Sequence, residues 1–408
     1  MMSAPISKVA EVCVPGPLAP FAPGFKSALL DAGYTPLSAV TQLRLMVHLS
    51  RWLEARGLSA VDLTAERIET YLAARRAAGY RGLTTQRGLT PLLTHLVGQN
   101  ALPGEEPRAP ESATQVLLVG FECYLSVERA LAPSTTSAYV TRVTRFLSIY
   151  AVDGDIAAIS PADITRAVAD ECASRSVGAG QYFVAALRSF LRFCHVEGLI
   201  GADLSAAALA VTGRRPSLLP QGLPERDAAA LLRACDRRRP LGRRDYAVLL
   251  TLLRLGVRAG EVAALRLDDV DWRAGEVVIH GKGRRQDRLP LPADVGEAIA
   301  TYVRRGRPAT TERAVFLTAT APIRGLTRGA VSLIVRRACV RAGVTPVGAH
   351  RLRHTMACAM VRAQVPLAEI GQVLRHRSPI TTAGYARVDL ERLRALALPW
   401  PGCAGGDR

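Results

Sequence analysis

Near the end of this 408-residue chain, the stretch LRHRSPITTAGYARV (374–388) sets His376 nine residues ahead of Tyr385, and upstream of it AHRLRHTMA (349–357) carries His350 and Arg353. Residues at i and i+3 share a helix face, so His350 and Arg353 are expected to face one pocket. An H-x-x-R pair alone says little in a chain so rich in arginine, and another stands at His48 and Arg51. What decides is the order of such features. Two more precede these: GVRAGEVAALRLDDVD (256–271), with Arg258, and HGKGRRQDRLPLP (280–292), with Lys282.

These residue types suit one kind of chemistry. Attack on a phosphodiester builds negative charge on the non-bridging oxygens, and fixed donors aimed at that charge lower the barrier. A guanidinium offers phosphate a planar fork, and Arg258 and Arg353 supply two. A histidine, with an ordinary pKa of about 6.5, can move protons near neutrality. Expelling a 5′-hydroxyl needs a proton donor; an ammonium can be one, whereas a guanidinium with a pKa above about 12 effectively cannot. Of the 53 basic residues, only Lys8, Lys26 and Lys282 are lysine and 50 are arginine. A lone lysine deep in the C-terminal half therefore asks for a reason that arginine cannot supply.

Taken together, Arg258, Lys282, His350, Arg353, His376 and Tyr385 resemble the tyrosine recombinase, or phage integrase, family over roughly residues 112 to 398. The resemblance implies that Arg258 and Arg353 hold the scissile phosphate. It gives His350 hydrogen bonding and proton transfer at the phosphate and nucleophile, and His376 a further phosphate hydrogen bond. Lys282 is then the general acid, and Tyr385 the nucleophile that forms a 3′-phosphotyrosyl link, to be reversed by a second strand's 5′-hydroxyl. Neither a cofactor nor a metal is required by that reaction. The implied partner is double-stranded DNA, held by a ring of four protomers that is a homotetramer or a mixture with sister recombinases. The chain departs from the family in two places. Arg375 stands where a glycine is common, which adds a phosphate contact or alters a tight turn, and the front of the chain exceeds the usual two-domain plan.

Neighbouring residues receive quieter readings. His350 and His354, at i and i+4, have the spacing of a zinc pair but lack the glutamate of H-E-x-x-H and a third ligand. Glu261, three after Arg258, is read as a local orienting partner, and His280 has no assigned role.

A formal net charge of +18 predicts a polyanionic partner, nucleic acid before membrane. Neither a long uninterrupted apolar run nor a basic amphipathic helix beside a lipid signal is present, and the start, MMSAPISKVAEVCVPGPLAPFAPG, is broken by prolines. The expected location is cytoplasmic and nucleoid-associated. Eight cysteines (Cys13, Cys123, Cys172, Cys194, Cys235, Cys339, Cys358, Cys403) form no C-x-x-C pair, and most are expected to be small buried hydrophobes.

Stretches rich in Pro and Gly divide the chain. The expected parts are a flexible segment at 1–24, an extra helical domain at 25–101, a helical core-binding domain at 112–212 and a catalytic domain at 224–400. The fold class is mainly α, with helical DNA-binding segments in front of a mixed α/β catalytic domain that has a small β-sheet. Thr64 and Ser160-Pro161 open helices in both front segments. Arg51-Trp52-Leu53 is echoed by Arg145-Phe146-Leu147 at an offset of 94, and Leu63 to Ile68 by Ile159 to Ile164 at 96. Such an echo fits a diverged duplication, and it equally fits any two capped helical segments.

In the C-terminal part, helical patterns cover Arg226–Arg237 and Arg243–Leu255, and Glu276–His280 with Arg288–Leu291 flank GKGRRQD as a hairpin. Helices return from Arg328. Apolar residues at 390, 393 and 396 give the tail beyond Tyr385 a helical face, for packing on a neighbour or on its own domain. The biological task is read as integration or transposition of a mobile element. The alternatives are a catalytically silent DNA-binding regulator of the same fold, chromosome-dimer resolution, phage integration, cassette exchange and a type IB topoisomerase; a silent binder would have no need of Tyr385 or Lys282.

Overall fold

The structure is a computed structural model that describes residues 12–102, 112–151, 155–213, 222–281, 283, 285–376, 378, 382–383 and 385. The chain falls into two compact units, Met1–Gly104 with Leu219–Arg408, and Glu105–Leu218. It is mostly helical with one small antiparallel sheet.

In the first unit, the front of the chain forms α1 (Ala22–Asp31), α2 (Pro36–Glu54), α3 (Ala65–Ala77) and α4 (Gln86–Gly98). Thr35 and Thr64 accept hydrogen bonds from the backbone N–H groups of Ser38 and Arg67, satisfying donors that a helix start leaves open. On α2, Val40, Leu43, Met46, Leu49 and Leu53 recur at helical spacing and are buried with Leu72 of α3 and Leu89, Leu92 and Leu96 of α4.

The second unit comprises α5 (Ala113–Cys123), α6 (Pro133–Tyr150), α7 (Pro161–Ser174) and α8 (Val177–Val196). Ser160 caps α7 with Pro161 at its first position, as the sequence predicts, and Asp163 completes the cap reciprocally. Phe121, Phe146 and Phe190 are buried at the centre, each contributing about 1.5–3 kcal/mol, and Phe121 meets Phe190 edge to face at 5.2 Å.

The C-terminal part of the first unit begins with α9 (Glu225–Arg233), α10 (Pro240–Leu255) and α11 (Ala259–Ala264). The expected helices at Arg226–Arg237 and Arg243–Leu255 shift, because Pro240, lacking an N–H, starts α10 three residues earlier than the pattern indicates. Next come β1 (Val270–Asp271), β2 (Glu276–His280) and β3 (Gln286–Pro290), in sheet order β1-β2-β3. The expected hairpin is there, with Val277 opposite Leu289 and His280 opposite Gln286; Val277 and Ile279 turn inward. Its two-residue edge strand β1 had no signal in the sequence. The remaining helices are α12 (Ala293–Arg305), α13 (Arg328–Arg341), α14 (Ala349–Arg362) and α15 (Leu367–Val373).

The core of this part packs α10 against α12, α13 and α14, with Val248, Leu252, Val295, Ile299, Val335 and Leu352 buried. Inside it Arg244 bonds Asp245 and the carbonyl of Leu317, an arrangement that keeps a buried charge paired. Among the described cysteines, Cys194, Cys235, Cys339 and Cys358 are buried as expected, whereas Cys13 and Cys123 are exposed. No helix among the described residues is long and apolar enough to cross a membrane. The expected tail helix at 390–396 lies outside the described residues.

Candidate active site

The site is assembled where α10 gives way to α11. Gly256 follows α10 in the left-handed region, with φ of 58°, and a Cβ there would lie 2.6 Å from Met356 Sδ, so a side chain at this position is strained and Met356 must shift to admit it. The turn delivers Arg258 to the start of α11, where its guanidinium is about half exposed. The backbone N–H of Arg258 donates to Glu261 Oε2 at 2.7 Å and its side chain to Glu261 Oε1 at 2.9 Å. Glu261 is therefore the local partner that its spacing foretold. Burial alone would raise its carboxyl, but these bonds and the Arg375 charge hold it below the usual value.

Helix α14 brings up the next group. His350 lines a cavity of about 840 Å³ together with Arg258, His280, Arg285, Arg328 and Arg375. Burial, then Arg353, Arg258 and Arg328, hold the His350 pKa below its ordinary value, so the ring is neutral near pH 7. Arg353 takes a different place from that expected of an open phosphate fork. It is 1% exposed and donates to the carbonyls of Gly256, at 2.6 Å, and Leu374. Those bonds tie α14 to the turn before Arg258 and to the end of α15. Burial and then Arg258 lower its pKa to about 10, which leaves it charged at neutral pH.

The segment after α15 carries Arg375, His376 and Tyr385. Arg375 has φ of 56°, the conformation glycine favours, so the tight turn survives the substitution as strain. Its side chain is buried and donates to Glu261 Oε2 at 2.6 Å, while its Nε and one terminal nitrogen have no partner among the described residues. Glu261 thus joins Arg258 to the residue beside His376. His376 Nδ1 lies 2.8 Å from Thr382 Oγ1, and burial, then Arg353, Arg258 and His350, lower its pKa to about 4.

Tyr385 is 3% exposed and packs with Ala357, Cys358, Val361, Ile370 and Leu374. Its hydroxyl lies 2.7 Å from Nδ1 of His354. The His376 ring stacks on it at 6.3 Å, and His354 meets His350 edge to face at 4.3 Å. Burial pushes the phenol pKa up, and the Arg353 charge opposes that rise. Burial, then His350, Arg351, Arg353 and His376, lower His354 to about 4.

Five of the six residues picked out in the sequence thus gather around one region; Lys282 lies outside the described residues. The hairpin it belongs to is placed by β2 and β3, with Gly281 N–H donating to the carbonyl of Arg285 at 2.7 Å. His280 bonds Asp269 at 2.7 Å. Sequence reasoning missed the contact of His354 with Tyr385, whose only signal was its position one turn after His350. It also left open the pairing of Arg375 with Glu261. Among the described residues, no group of three or more His, Cys, Asp or Glu is arranged to hold a metal. The concentration of guanidinium groups on one cavity suits a polyanion.

The phage integrase family model matches residues 221–392, and that of the phage integrase N-terminal SAM-like domain matches residues 118–198. The integrase/recombinase y4rA of Sinorhizobium fredii is 40% identical over 393 residues, 95% of each chain. The chain belongs to the phage integrase family. Consistent with this, it is 30% identical to the tyrosine recombinase XerD of Mycobacterium leprae, over 71% of this chain and 97% of that one. In structure it is similar to the XerH site-specific recombinase in a post-cleavage complex with its palindromic difH substrate, with a TM-score of 0.56 over 82% of this chain and 94% of that chain. At 17% identity that likeness is one of fold. This family member is a tyrosine-type site-specific DNA recombinase.

Proposed function

We propose that the recombinase cleaves and rejoins double-stranded DNA through a 3′-phosphotyrosyl link on Tyr385. The observation that carries this reading is the position of the Tyr385 hydroxyl, 2.7 Å from a histidine of the helix that also holds His350 and Arg353. Arg258, half exposed on the cationic cavity, receives the non-bridging oxygens. Arg353, bound to two carbonyls, fixes the Arg258 turn and adds its charge from beneath. His350 and His376 complete the hydrogen bonding to the phosphate. Lys282, on the loop between β2 and β3, protonates the departing 5′-oxygen.

The same reading assigns DNA binding to the helical segments at 25–101 and 112–212 and catalysis to 224–400; separate hydrophobic clusters in the front, middle and C-terminal parts support that division. The assembly is a homotetramer, or a mixed tetramer with sister recombinases, on two DNA sites. The task is integration or transposition of a mobile element, carried out in the cytoplasm at the nucleoid.

Sulfur substitution tests the chemistry. Lys282→Arg is expected to bind DNA normally and cleave about 100-fold more slowly, and a substrate with sulfur at the 5′-bridging position is expected to restore the rate, because a thiolate leaves without a proton. Absence of rescue would remove Lys282 as the acid.

A further inference from the structure

A Tyr385 nucleophile must lose its phenol proton as it attacks, and the histidine placed against its hydroxyl is His354. We propose that His354 is the base that takes the Tyr385 phenol proton as the phosphotyrosyl bond forms. This rests on the reading of Tyr385 as nucleophile and goes beyond it, since the family resemblance directed proton transfer at the nucleophile to His350.

Three observations carry it. Nδ1 of His354 lies 2.7 Å from the Tyr385 hydroxyl, within the reach a general base needs. With the phenol as donor, Nδ1 is the acceptor and the neutral imidazole carries its hydrogen on Nε2. Second, the phenol is enclosed: Tyr385 is 3% exposed and packs with Cys358, Val361 and Ile370, and its bond to the half-buried His354 is the polar contact its hydroxyl makes among the described residues. Third, the charges around the pair favour transfer only when substrate is present. His354 faces His350, Arg351 and Arg353 of its own helix, and His376 and Tyr385 of the segment packed against it. Burial, then His350, Arg351, Arg353 and His376, keep the imidazole unprotonated and ready to accept. A phosphate entering beside Arg258 and His350 brings negative charge, which raises the imidazole's proton affinity at the moment it is needed.

The step balances. Tyr385 Oη forms a bond to phosphorus and its proton moves to His354 Nδ1. The P–O5′ bond breaks, its electron pair leaves with the 5′-oxygen, and that oxygen takes a proton from Lys282. Nothing is oxidised or reduced. In the rejoining step His354 returns its proton to Tyr385 while the lysine recovers its own.

The test uses the full-length protein and nicked duplexes cut from the DNA flanking its own gene, retaining the duplex that wild type captures covalently. His354→Asn keeps a hydrogen-bond acceptor at the same level but cannot take the proton; His354→Phe keeps the ring volume. Both are expected to bind the duplex as wild type does, and His354→Asn to form adduct about 100-fold more slowly at pH 7. The pH profile separates a base from a structural residue. Wild type should be flat from pH 6 to 9, while His354→Asn, which must wait for a free tyrosinate, should gain about tenfold per pH unit. A wild-type rate in His354→Asn, or a loss by the same factor at every pH, would overturn the proposal and leave Tyr385 standing. Capture by Tyr385→Phe, or none by wild type on any flanking duplex, would instead remove the nucleophile reading and this inference with it.

Discussion

Arg375 carries two burdens at once, a left-handed backbone and a buried charge, and the charge is met by Glu261. Breaking a buried ion pair costs about 3–5 kcal/mol, and glycine at a left-handed position returns about 1–2 kcal/mol. Arg375→Gly is therefore expected to lose about 1–4 kcal/mol in urea unfolding, even though it restores the residue common in the family. An unchanged or raised midpoint would show that the pair contributes no more than the glycine returns. The histidines give a second residue-scale prediction. His354 and His376 are held to about 4, against 6.5 for an ordinary imidazole, so the unfolded chain takes up protons first as pH falls. Stability present above 6.5 is then lost progressively between 6.5 and about 4. The unfolding midpoint should drop from pH 7 to pH 5, and His354→Asn combined with His376→Asn should flatten that drop. A midpoint independent of pH in wild type would contradict the burial of these rings.

Helix α14 and the turn after α10 are the elements on which the site depends. Leu352, fully buried between His350 and Arg353, anchors that helix face in the core, and Leu352→Ala is expected to cost about 2–5 kcal/mol by calorimetry. Much of this architecture was legible beforehand. The run Glu276-Val-Val-Ile-His280 before a Gly-rich turn marked one strand of a hairpin, and the caps at Thr64 and Ser160 marked helix starts, because local hydrogen bonding and turn chemistry fix both. What escaped depends on partners distant in sequence. Arg353 is spent on the carbonyls of Gly256 and Leu374, 97 and 21 residues away, which no local pattern encodes. The contact of His354 with Tyr385 spans 31 residues. Arg375 read as a departure from a glycine, yet its compensation sits at Glu261, 114 residues earlier.

Across the whole chain the excess of positive charge, +18, is carried almost entirely by arginine, which neither loses its charge on burial nor exchanges its proton at neutral pH. That distribution suits a protein that grips phosphate with most of its cations and reserves a lysine for proton transfer. Binding to duplex DNA is accordingly expected to weaken steeply with salt, as each neutralised phosphate releases a counterion. A flat response between 50 and 200 mM salt, conditions over which about six to ten phosphate contacts cost 10³–10⁵ in affinity, would undo the proposed grip on the backbone. The most direct measurement remains the covalent link itself. Wild type and Tyr385→Phe are incubated with DNA from the flanks of the gene and resolved on a denaturing gel. A protein–DNA band is expected in wild type and absent from Tyr385→Phe; a band of equal strength in the variant would contradict a phosphotyrosyl link on Tyr385.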